Sequence, residues 1–205
     1  MKHLRLFALF VFMLLALNQV TYSQSTKKNI ALSTAQLETL LKASSTAVLQ
    51  HEERRESPWL NAPQHSSGTL SLEGPVLIKK TTSPHQEIWR LHPEYIEATQ
   101  PLSHTEAWSE QTSQILYSQA PGIGVLANAL RAIVMGNLGI LSEHFVLEIT
   151  GTDRGWYLSL TPKRAEDRRA LSHIEFKGAR SGIETIVVTE PQGEKTTTTL
   201  LRPLS

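Results

Sequence analysis

The sequence predicts a mainly β protein of the α+β class, built on a long antiparallel sheet with two to three helices. Three observations carry this. Apolar residues alternate at a period of two in two blocks, roughly 67–101 and 145–202. Pro and Gly interrupt the alternation about every ten residues, the signature of an antiparallel meander rather than of β-α-β units. Two other stretches, 33–49 and 121–135, repeat at three and four residues instead and read as amphipathic helices.

The first 23 residues read as a separate object. Lys2 and Arg5 precede the apolar run LFALFVFMLLALNQV, and Thr21 and Ser23 are small residues suited to cleavage before Gln24. This is the pattern of a secretory signal peptide over 1–23. The run, about 15 residues, is short for a bilayer core of about 30 Å. No Cys lies near the cleavage point to take a lipid anchor, and no later stretch is apolar and long enough for a spanning helix. Residues 24–205 then form one exported domain, long enough for its own core. The chain has no cysteine, which excludes disulfides and thiolate zinc sites. Its formal charge of +1 becomes −1 once Lys2 and Arg5 leave with the leader, so no basic surface argues for nucleic acid.

Residues 24–32 read as a loose leader. Ser33 and Gln36 have the spacing of a capping box, which opens a helix. Leu37, Leu40, Leu41, Ser44, Ala47 and Val48 make its apolar stripe, running to about Leu49. HEERRESPWLNAP, residues 51–63, reads as a charged solvated edge strand or loop. Trp59 and Leu60, between Pro58 and Pro63, plug onto the domain. Strands follow over Ser67–Glu73, then from Val76 after the break at Gly74-Pro75, then through HQEIWRLHP and EYIEATQP. The segment 101–120 reads as irregular near Ala107–Trp108, followed by a short helix. A second clear helix starts at Pro121-Gly122 and carries Ile123, Leu126, Ala127, Leu130, Ile133 and Val134 on its apolar face. Gly136-Asn137 stops it. The later strands are Phe145–Thr150, Gly155–Thr161, Leu171–Gly178, Gly182–Glu190 and Glu194–Arg202. In GWYLSLTPKR, Trp156, Leu158 and Leu160 share one face, opposite Tyr157, Ser159 and Thr161. One sheet with nine or more strands curls strongly. It either closes around its side chains or stays partly open under the helices, leaving an apolar hollow suited to lipid.

No residue pattern nominates a catalytic, cofactor or metal site. His85 and Glu87 share a strand face but make only a pair. Glu52 and Glu53 are neighbours and point oppositely on a strand, so they do not form a catalytic carboxylate pair. There is no G-x-S-x-G elbow, and the GIG at 122–124 lacks the Lys-Ser/Thr of a phosphate loop. An envelope enzyme would need convergence among His85, Glu87, His92, Glu94 and Glu106. The four tryptophans, Trp59, Trp89, Trp108 and Trp156, read as core residues or cavity walls. Each methylene of an acyl chain buried against such a wall would contribute about 0.8 kcal/mol.

The order of segments resembles a known family: an exported leader, a helix, VLQHEERRES, SSGTLSLEGPVLIKKTTSPHQEIW, a helix, HFVLEITGTDRGWYLSLTPK and HIEFKGARSGIETIVVTEPQGEKTTTTL. It looks like LolA, the periplasmic carrier of outer-membrane lipoproteins, over about residues 33–201. The most specific parts are the strand pair from Gly68 through Leu77 and the aromatic-x-Leu-x-Leu-Thr-Pro-Lys end from Trp156 through Lys163. The resemblance implies a curved antiparallel sheet forming an incomplete barrel, covered by a helical lid. It also implies an apolar cavity for acyl chains, no catalysis and no cofactor. The residues it nominates for cavity or lid are Leu37, Leu41, Val48, Leu70, Leu72, Leu77, Trp89 and Leu91 in the first half. Leu126, Leu130, Ile133, Phe145, Leu147, Trp156, Leu158 and Leu160 follow in the second. It further implies a periplasmic monomer that takes acylated cargo from an inner-membrane ATP-driven transporter and passes it to an outer-membrane acceptor. That family commonly carries an Arg, bonded to the lid, just before the proline of SLEGP. This sequence has Gly74 there, leaving Arg54, Arg55 or Arg90 to latch the lid. The 121–141 helix region and HFVLEITG look closer to a divergent branch associated with aryl polyene and glycolipid-like products. A glycolipid or polyene conjugate is therefore the alternative cargo. An envelope sensor built on a similar half-barrel is a further alternative.

Overall fold

A computed structural model describes residues 32–44, 48–101 and 110–202. The expected signal peptide and the expected irregular stretch near 107–108 lie outside them. Helix α1 spans Thr34–Ser44, and strands β1 to β6 follow as Leu49–Glu56, Gln64–Glu73, Val76–Ser83, Glu87–Leu91, Tyr95–Pro101 and Glu110–Leu116. Helices α2 (Pro121–Val134) and α3 (Leu138–His144) come next. Strands β7 to β11 are Phe145–Thr152, Gly155–Pro162, His173–Ala179, Gly182–Thr189 and Lys195–Leu201, with a short 3-10 turn at Asp167–Arg169.

All eleven strands join one antiparallel sheet in the order β6-β5-β4-β3-β2-β1-β11-β10-β9-β8-β7. Each half is a plain meander, and the halves meet at the β1–β11 pair, which runs from Gln50 opposite Leu201 to Glu56 opposite Lys195. The outer strands β6 and β7 are not neighbours in the sheet, so it does not close into a true barrel. Laid flat, eleven strands at about 4.8 Å would span roughly 50 Å. Helix α2 nevertheless packs on β3, β4 and β5, while α3 continues it into β7 at the far edge. One hydrophobic cluster takes side chains from all three helices and from strands of both halves. The sheet therefore curls around the helices.

The start of α1 follows local chemistry. Ser33 Oγ accepts from Gln36 N–H at 3.3 Å, and Ser33 N–H donates to Gln36 Oε1 at 2.9 Å, which is the expected capping box. Leu37 and Leu41 of α1 are fully buried. In GWYLSLTPKR the alternation holds: Trp156, Leu158 and Leu160 are buried, and the Trp156 indole N–H donates to the Ala179 carbonyl at 3.0 Å.

Five expectations are corrected. Helix α1 ends at Ser44 rather than near Leu49. Leu49 opens β1, and Val48, placed on the lid by resemblance, is 58% exposed and outside the helix. Ser and Thr compete for backbone hydrogen bonds, and Ser44 Oγ donates back to the Leu41 carbonyl at 2.9 Å. The charged run 51–56 lies at the centre of the sheet, paired on both sides, rather than at an edge. Trp59 is 75% exposed and Leu60 37%, so neither plugs the domain. The short helix expected before residue 120 is instead β6, held to β5 from Tyr95 opposite Leu116 to Gln100 opposite Gln111. Finally, α3 forms where no helix was expected. Its first backbone N–H groups, Leu138 and Gly139, donate to Glu38 Oε1 of α1 at 2.8 and 3.1 Å, so the cap comes from another helix.

Candidate functional site

Helix α2 has a hollow on each of two opposite faces. At 100° per residue, Leu126, Leu130 and Val134 fall on one stripe, while Val125, Asn128, Ala132 and Met135 fall on the other. The first stripe roofs a cavity of about 400 Å³ over the sheet. Its walls are apolar: Leu70, Leu77, Trp89, Ile186 and Val188. Its floor is polar, made by the inward positions His51, Glu53 and Arg55 of β1 together with Lys79, Glu190, Thr196 and Thr198.

These floor charges are largely matched within the protein. Lys79 Nζ lies 2.7 Å from Glu53 Oε2, and the Thr198 hydroxyl donates to the same oxygen at 3.0 Å. Glu53 faces Ser66 of β2, and Lys79 lies on β3 beyond it, so the ion pair crosses over a strand whose intervening inner position is Gly68. Burial pushes the Glu53 carboxyl up. The neighbouring Lys79 ammonium and the hydrogen bonds from Lys79 and Thr198 outweigh it, leaving Glu53 below the usual carboxylate range. Arg55 donates to Glu194 Oε2 at 2.7 Å and is raised chiefly by that bond. Glu190 is raised, first by burial and then by Glu194. His51 is 2% exposed, and neither ring nitrogen makes a well-formed hydrogen bond. Burial and then Lys79 depress its pKa, against the opposing pull of Glu53 and a weak contact with the Thr69 backbone.

The second stripe of α2 borders a cavity of about 530 Å³, shared with α3, Tyr117 beyond β6 and Phe145 at the start of β7. It therefore lies between the two sheet edges that do not pair. From the border of this stripe Arg131 reaches back to the sheet: its Nε–H donates to the Pro75 carbonyl at 2.9 Å. Its Nη1 donates to Asn128 Oδ1 at 2.9 Å.

Of the residues nominated from sequence, Leu70, Leu77, Trp89, Leu126 and Leu130 come together around the first cavity. Leu41 and Leu72 border a separate gap of only about 20 Å³, and Phe145 borders the second cavity. Leu37, Leu91, Ile133, Trp156, Leu158 and Leu160 are buried in the packed core, with Leu147 against it. None of the three nominated arginines spans to a helix in its ion pair. Arg54 pairs with Glu56, Arg55 with Glu194, and Arg90 with Glu97 at 3.0 Å. The helix-to-turn bond comes instead from Arg131, running in the opposite sense to the expected one. Gly74 has φ +57°, a conformation an Arg side chain rarely adopts, which leaves the turn to accept rather than donate. Sequence reasoning missed Arg131 and treated Glu53 as an edge charge. Among the described residues no three His, Asp or Glu side chains group closely enough to hold a metal ion. None of the described helices is long and apolar enough to cross a membrane.

Residues 31–203 match the family described as outer membrane lipoprotein carrier protein LolA-like. The chain belongs to that LolA-like family. No curated protein sequence matches it. Among solved structures it is similar to a LolA superfamily protein from Nitrosomonas europaea, with 11% identity and a TM-score of 0.39, over 85% of this chain and 96% of that one. It is also similar to MucB, solved in complex with MucA(peri), with 10% identity and a TM-score of 0.38 over 84% of this LolA-like chain. MucB solved alone gives 14% and 0.38 over 82%. The match spans 57% of either MucB chain.

Proposed function

We propose that this protein is a periplasmic carrier that shields an acyl chain beneath α2 and delivers acylated cargo, a lipoprotein, toward the outer membrane. The observation that carries the reading is the first cavity, an apolar helix roof over a curled sheet in a LolA-like chain. A volume of about 400 Å³ falls low in the roughly 300–1,000 Å³ range of small-molecule sites. It suits part of one amphiphile, so a cargo with several chains requires α2 to move off the sheet. The bond from Arg131 to Pro75 is the latch such a movement breaks. An inner-membrane transporter is the expected donor and an outer-membrane protein the expected acceptor.

The polar floor favours a second reading of the cargo. Glu53, Lys79, Arg55 and Thr196 face the cavity where a purely acyl ligand makes no use of them. A glycolipid or an aryl polyene-type conjugate, with a polar part beside its chain, would use both surfaces.

Detergent-free isolation from the envelope followed by mass spectrometry of bound material tests both. A stoichiometric acylated protein supports the lipoprotein carrier, and a bound glycolipid or polyene conjugate supports the second cargo. Absence of any bound lipid, together with failure to take up added acylated cargo, overturns the carrier reading.

A further inference from the structure

The second cavity differs from the first in its charge. It is larger, about 530 Å³, and its walls include Val125, Ala129, Met135, Ile140 and Phe145. Among the described residues its lining contains no aspartate or glutamate, but does contain Arg131 and His144. In the first cavity each cation meets a carboxylate; here the guanidinium does not. Arg131 makes no ion pair among the described residues, and its two donor bonds go to a backbone carbonyl and to an uncharged amide. A guanidinium has five N–H donors in a planar fork, so donors remain for an outside acceptor. Burial lowers the Arg131 pKa, as expected where no anion offsets the charge.

Apolar walls with one uncompensated cation at the border describe the complement of an amphiphile. The position adds direction, because Tyr117, just after β6, and Phe145, the first residue of β7, both line the cavity, beside the two sheet edges that do not pair. We infer that the cavity between α2, α3 and the ends of β6 and β7 binds a single-chain amphiphile through its tail, with an anionic phosphate or carboxylate head on Arg131. The site lies across α2 from the first cavity.

Calorimetry with decyl phosphate, decanol and inorganic phosphate, each below its aggregation limit, tests this. The wild-type protein binds decyl phosphate about tenfold more tightly than decanol, because a charge-assisted bidentate bond adds to the same tail contacts. Added salt narrows the difference. R131Q removes most of that preference, read as the ratio of decyl phosphate to decanol affinity within each protein, and R131K keeps part of it. Ile140 is 50% exposed at the rim, so I140E places a carboxylate there without burying it. It lowers the ratio of decyl phosphate to decanol affinity several-fold. If R131Q does not fold, I140E and the salt series still decide the matter. Inorganic phosphate binding as tightly as decyl phosphate would overturn the amphiphile. Equal binding of decyl phosphate and decanol, or a preference indifferent to both variants, would overturn the site. Loss of binding only in L130E, with R131Q and I140E unaffected, would place the ligand in the first cavity. That result rejects this inference and leaves the carrier reading intact.

Discussion

Replacing His51 by leucine should make the protein more stable, although it removes a buried residue from the middle of the sheet. His51 is 2% exposed, and neither nitrogen of its ring makes a well-formed hydrogen bond, only a weaker contact with the Thr69 backbone. A buried polar group left without a partner costs about 1–3 kcal/mol. Leucine has no such group and fits beside Leu200, which faces His51 across the β1–β11 pair. H51L should therefore gain about 1–3 kcal/mol at pH 7.5. The pH dependence follows from the same burial. The folded protein holds the His51 pKa below its ordinary 6.5. Between the two values the unfolded chain binds more protons than the folded one, so stability rises with pH there. The neutral-histidine contribution is complete above about 6.5 and is lost as pH falls through the folded value. Urea unfolding at pH 7.5 and pH 5.5 measures both effects. Wild type should weaken more than H51L on acidification. A variant less stable than wild type by more than about 1 kcal/mol at both pH values, with the same pH difference, would refute the reasoning.

Other predictions concern the first cavity and the strand beneath it. L130E puts a carboxylate on the roof of a cavity already lined by Glu53 and Glu190, and should cost a few kcal/mol in stability or in cargo binding. Unchanged binding with an unchanged thermal midpoint would show that α2 does not roof that cavity. Gly68→Ala places a Cβ 1.8 Å from the Lys80 carbonyl oxygen, at the irregular step between β2 and β3, and should destabilise by at least about 2 kcal/mol in urea unfolding. A change under about 0.5 kcal/mol would mean the two strands separate there at little cost.

Much of this architecture is readable from residue pattern, and the exceptions have physical reasons. Trp156, Leu158 and Leu160 announce a strand because apolar and polar residues alternate, and the capping box at Ser33 is local chemistry. Strand β1 is silent because His51, Glu53 and Arg55 point inward while Gln50, Glu52 and Arg54 point outward. Both faces are polar, and only pairing with two neighbours reveals its central place. Strand β6 is an exposed edge of Gln, Thr and Ser, defined by β5 alone. Helix α3 is seven residues long, too short to show a period, and its cap arrives from Glu38, 100 residues earlier. For the site, the apolar roof and walls were legible as helix and strand faces, but the polar floor and the second cavity were not. The one clue to the latter was Arg131, the lone charge in a mostly apolar helix.

The β1–β11 pair sets the order in which this chain assembles. Glu53 and Thr198 touch across it while lying 145 residues apart in sequence. Each half-sheet is a run of neighbouring hairpins that forms by local closures. The joint between the halves waits until nearly the whole chain is present, and such distant pairings slow folding. Until β11 arrives, β1 and β10 each offer an unpaired edge, the kind of surface that recruits other chains. The polar character of β1, with charges on both faces, makes it a poor template for that unwanted pairing. A segment that looks misplaced at the centre of the finished sheet is thus suited to the long interval before its partner exists.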